Sequence, residues 1–138
     1  MIDRDLLLRA AAALIAAPSE NPPGDTRAAA AMAARFLHAI PGMAVTEHTK
    51  QEPVRNVVAV LRGTRPGKRL VLSGHLDTYP AGDPSRWTMP PFAATIRGDR
   101  LYGRGAADMK GGIAAAIAAL AALAERRDFA GELVLALA

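Results

Sequence analysis

Two apolar runs, RLVLSG at 69–74 and GELVLALA at 131–138, constrain this chain more than anything else in it. Short runs of this kind suit strands buried on both faces. Between them, Met109, Ile113, Ile117, Leu120 and Ala124 recur at helical spacing, and Arg126 and Arg127 suit the carboxyl end of that helix. Strand, helix, strand is the unit of an α/β fold. Upstream, Leu6, Leu7, Ala10, Leu14 and Ile15 predict a helix limited by Pro18. A second helix is expected from a cap at Asp25 or Thr26, with Ala29, Met32, Phe36, Leu37 and Ile40 inward, stopped by Pro41-Gly42. MAVTEH (43–48) and NVVAVL (56–61) read as strands, and GTRPGK (63–68) reads as a turn. The expected architecture is one α/β domain, a mostly parallel mixed sheet flanked by helices. The proline-rich stretch from His75 to about Arg100 should be largely irregular.

Composition excludes several classes. A hydrophobic fraction of 51% with 22% charged residues is that of a packed protein, so disorder is excluded. The net charge of +4 comes from scattered bases and makes no nucleic-acid stripe. With no cysteine, disulfides and thiolate metal sites are excluded, and any metal must be held by nitrogen and oxygen. The first apolar run carries Asp3, Asp5 and internal arginines and is too short to cross a bilayer. No membrane partner and a cytoplasmic location are therefore expected.

Two glycine patterns imitate nucleotide sites. Gly63–Lys68 has three residues between its glycines where a phosphate loop has four, and Arg69 follows in place of Ser or Thr. Gly103–Asp108 ends in a carboxylate that would repel a pyrophosphate. Neither supports a nucleotide-binding module.

The glycine-rich segments instead frame three polar groups: His75, Asp77 and Asp108. RLVLSG runs directly into His75, and in open α/β sheets ligands bind beyond the carboxyl ends of strands. Asp77, two residues on, can reach the same ring, and a metal-binding histidine needs an acceptor on its other nitrogen. Asp108 precedes the alanine-rich helix, whose amino end favours an ionised carboxylate. A hydrogen-bonded structural histidine and an ordinary helix cap explain the same residues when each is taken alone.

Taken together the motifs resemble a known family. GHLDTYPAGDPSRWTMPPF (74–92) and GDRLYGRGAADMKGG (98–112), preceded by PSENPPGDT (18–26), resemble the di-zinc amidohydrolases of the acetylornithine deacetylase, succinyl-diaminopimelate desuccinylase, aminoacylase and carboxypeptidase G family. The resemblance implies that His75 binds one zinc, that Asp108 bridges two, and that Asp77 orients His75. It also implies a cis Asp108–Met109 peptide and structural or solvent-facing roles for Tyr102, Arg104 and Lys110. The implied reaction is amide hydrolysis by di-zinc-activated water, with cobalt or manganese as possible substitutes. The implied substrates are N-acyl amino acids, a succinylated diamino acid or short peptides, and full-length relatives are implied to be homodimers.

The family's glutamate pair, a further acid, a second histidine and the lid domain have no counterpart in 1–138, and the chain stops inside its last apolar run. It is therefore expected to be the N-terminal part of a catalytic domain, inert alone and weak in zinc binding. The alternative is a non-catalytic scaffold of the same fold.

Overall fold

The computed structural model describes all of residues 1–138. Helix α1, Arg4–Ile15, starts where the Asp3 carboxylate accepts the Leu6 N–H at 2.9 Å. Helix α2 covers Arg27–His38, with Asp25 accepting the Arg27 N–H at 3.1 Å. Thr26 does not cap. Its hydroxyl exchanges two hydrogen bonds with the backbone of Arg55 and ties the start of α2 to the sheet. Strands β1 (Met43–Gln51), β2 (Val54–Arg62) and β3 (Arg65–Gly74) follow. The proline-rich segment then holds only a 3-10 turn, Pro84–Arg86, and a small hairpin of β4 (Thr95–Arg97) and β5 (Arg100–Tyr102). A π-helical turn, Ala106–Lys110, leads into α3, Gly111–Arg126, and β6 spans Ala130–Leu137.

The main sheet has the order β1-β2-β6-β3. It is mixed and has helices packed on it, here on one face, but it is not mostly parallel. Only β3 and β6 run parallel, while β1–β2 and β2–β6 are antiparallel. The reason lies in the connections. Parallel neighbours need a long crossover, and α3 provides the one helical crossover between strands of this sheet. The two-residue links after β1 and β2 reverse the chain instead.

Register decides which residues are buried. Val57, Ala59 and Leu61 of β2 stand opposite Leu137, Leu135 and Leu133 of β6. This face joins one apolar cluster with Ala30, Ala33 and Leu37 of α2 and Ile113, Ile117 and Leu120 of α3. Helix α1 lies behind, its Ala10 and Ala11 against Ala114 of α3, a close approach that alanine's small side chain permits. Each fully buried leucine here contributes about 1.5–3 kcal/mol. The opposite face shows Val58, Val60, Val134 and Ala136 and carries no helix. β3 also departs from its expected double burial: Leu70 is 56% and Val71 50% exposed, because β3 is an edge strand.

Candidate metal centre

The parallel pair β3–β6 aims its carboxyl ends at the same rim, with Gly74 opposite Leu137. Pairing continues past the strands: the Ala138 N–H donates to the Gly74 carbonyl at 3.0 Å and the Leu76 N–H to the Ala138 carbonyl. Leu76 is fully buried in the core. Extended backbone alternates sides, so an inward Leu76 turns His75 and Asp77 together to the opposite side.

His75 is held at both nitrogens. Its Nδ1 lies 3.0 Å from the Asp77 carbonyl oxygen and 3.2 Å from Asp77 Oδ1. Its Nε2 lies 2.9 Å from Asp108 Oδ1, across 33 residues of sequence. Partial burial works against a charged ring, but the Asp77 carbonyl and the Asp108 carboxylate outweigh it and raise the pKa above the usual histidine value. The Asp108 side chain is 77% exposed. It stands in the π-helical turn, where Asp108 and Met109 leave helical geometry and their shared peptide is cis. The Met109 sulfur accepts the His75 N–H at 3.4 Å, so the backbone of one motif also meets a side chain of the other.

Two residues fix that turn. Gly105 has φ +76°, and a Cβ there would lie 2.5 Å from Thr78 Cγ2, so only glycine lets the turn close on the strand-end loop. Lys110, expected to be structural or solvent-facing, is 1% exposed. Its Nζ donates at 2.7 Å to the Ala17 carbonyl, pinning the turn to the end of α1, and burial lowers its pKa to about 8. Lys110→Ala is expected to cost roughly 2–5 kcal/mol in urea unfolding, through the cavity and the orphaned carbonyl. Lys110→Met, which keeps the stem, should cost about half as much.

The imidazole and the carboxylate open onto a hollow of about 440 Å³, also lined by Thr78, Tyr79 and Arg104. The Arg104 guanidinium lies 5.0 Å from the Trp87 ring centre, and the Trp87 indole N–H donates to the Ala81 carbonyl. The donor chemistry fits a divalent cation: one imidazole nitrogen and one carboxylate oxygen face each other, with the second imidazole nitrogen occupied by Asp77. No third His, Cys, Asp or Glu completes the group. Glu132 stands at the far end of β6 between Arg62 and Arg69, and Glu125 is exposed at the end of α3.

Sequence reading missed one neighbour. The Asn21 Nδ2 donates to Asp77 Oδ2 at 3.0 Å. The segment PSENPPGDT shows turn chemistry, and nothing in it indicates a partner 56 residues away.

Comparison with known proteins bears on this geometry. The sequence profile described as Peptidase family M20/M25/M40 matches residues 71–137. The succinyl-diaminopimelate desuccinylase of Rhodospirillum centenum is 44% identical over 110 residues, which are 75% of this chain and 28% of the relative. The chain thus spans less than a third of that protein's length. Human carnosine dipeptidase 1 superposes with a TM-score of 0.77 at 24% identity, over 96% of this chain and 31% of that one. The metallo-carboxypeptidase Sso-CP2 of Sulfolobus solfataricus superposes with a TM-score of 0.75 at 23% identity, over 98% and 30%. At these identities the two structures establish the fold alone.

Proposed function

Because the chain belongs to the peptidase family M20/M25/M40, we propose that His75 and Asp108 serve as metal donors in the hydrolysis of an amide bond. The observation that carries this reading is the 2.9 Å approach of His75 Nε2 to Asp108 Oδ1, two groups brought together from separate motifs. When bound, a pair of divalent cations supplies Lewis-acid activation of water and of the amide carbonyl, and zinc suits nitrogen and oxygen donors. The chain's own residues prepare the site. Asp77, on Nδ1, keeps the ring oriented and leaves Nε2 to the cation, and its negative charge raises the ring's basicity. Asp108 contributes the charge that a cation needs at the solvent-exposed rim. The hollow beside them admits a small substrate, an N-acyl amino acid or a short peptide. The desuccinylase resemblance supports the acyl class and the peptidase family profile the peptide class.

The test uses a full-length relative carrying this segment, screened against N-acyl amino acids. Activity is expected to vanish in chelator and return with Zn²⁺, Co²⁺ or Mn²⁺; full activity in chelator would overturn the reading. Asp77→Ala should lower metal affinity by about 10- to 100-fold. The 138-residue chain by itself offers two donors where zinc takes at least three. It is expected to bind Zn²⁺ weakly in titration calorimetry and to hydrolyse nothing, and stoichiometric tight binding would contradict that expectation.

A further inference from the structure

Residues 19–21 lie along residues 76–81 as a short parallel bridge. The Ser19 hydroxyl donates to the Leu76 carbonyl at 2.6 Å, and the Thr78 N–H donates to the Ser19 carbonyl at 2.9 Å. The Asn21 N–H donates to the Thr78 carbonyl at 2.8 Å, and Glu20 Oε1 accepts the Ala81 N–H at 2.6 Å. Four bonds therefore tie residues 19–21 to the strand-end loop, one of them through the Asn21 N–H itself. Its amide reaches the one Asp77 oxygen that does not face His75.

We propose that Asn21 is a positioning residue of the metal centre, acting through Asp77 on His75. A carboxylate on a short side chain rotates over a broad range of its last torsion. Asp77 is also partly exposed, so water competes for its oxygens. A donor fixed on Oδ2 stops that rotation and keeps Oδ1 on His75 Nδ1. The residue type matters. A lysine or arginine there would neutralise the carboxylate and weaken its hold on the ring, whereas an amide fixes its direction and leaves its charge intact. The amide orientation follows from the same contact, since the Asn21 oxygen facing a carboxylate would repel it.

This inference rests on the reading of His75 as a metal donor, and the experiment separates the two. Zn²⁺ is titrated into the 138-residue chain, followed by the ring resonances of its three histidines. The forms compared are wild type, Asn21→Leu, Asp77→Ala, the double variant and His75→Ala, each first checked by thermal melting without metal. Asn21→Leu keeps the volume and removes the donor. It is expected to weaken Zn²⁺ binding about 3- to 10-fold, the value of one hydrogen bond, and to have no further effect once Asp77 is alanine. An equal loss in both backgrounds would reduce Asn21 to loop packing and overturn the inference. No loss in either, with Asp77→Ala still weakening the metal, would overturn it as well. Unchanged binding in His75→Ala would instead remove the reading beneath it. Should Asn21→Leu fail to fold, Asn21→Ser, too short to reach Asp77, makes the same comparison.

Discussion

Replacing His75 by alanine in a full-length relative carrying this segment is expected to abolish amide hydrolysis. The loss should exceed the roughly 100-fold that removal of an outer partner such as Asp77 can cost, because a donor to the metal itself disappears. His75 is the histidine with an acidic residue at each ring nitrogen. His48, exposed on β1, provides the control, and His48→Ala should leave turnover unchanged. Turnover is measured as kcat/KM at saturating metal, so that weakened loading and lost chemistry are distinguished. Full activity in His75→Ala would refute the assignment.

Gly131→Ala is expected to destabilise the chain by roughly 2–5 kcal/mol, combining a left-handed backbone with overpacking. Gly131 is the second residue of β6, at φ +88°, and a Cβ there would lie 1.9 Å from the Lys68 carbonyl oxygen. That oxygen belongs to the neighbouring strand, so relief means separating β3 from β6. A domain of this size has only about 5–15 kcal/mol in total. Gly82→Ala separates the two causes, since Gly82 has φ +69° but nothing within 4 Å of its notional Cβ. Its cost should be confined to about 1–2 kcal/mol of backbone strain. Urea denaturation of both variants checks the difference, and equal midpoints would remove the steric argument.

The helices were legible because apolar spacing reports a buried face directly. Leu14 and Ile15 of α1 and Ile113, Ile117 and Leu120 of α3 all lie inward. The strand-end rule pointed to the rim where His75 emerges, but the pairing of His75 with Asp108 was implied by the family resemblance of their motifs and not by spacing. Strand direction was less accessible. An apolar run such as RLVLSG looks alike in a central or an edge strand, and position in the sheet, not composition, left Leu70 and Val71 open to solvent. Least accessible were contacts between remote segments. Asn21 meets Asp77 across 56 residues and Lys110 meets the Ala17 carbonyl across 93, and neither leaves a periodic trace.

The outer backbone of β3 has no neighbouring strand, and its two halves differ. Arg65, Lys68 and Arg69 crowd the first half, whereas Leu70, Val71 and Leu72 make the second half greasy and uncharged. Like charge on Arg65 and Lys68 discourages two molecules from zipping together along this border. That protection is electrostatic and therefore short-ranged in brine, where the screening length shrinks to a few ångströms at about 1 M. Dilute buffers should keep this molecule apart from its copies; strong salt, often added to improve handling, removes the barrier.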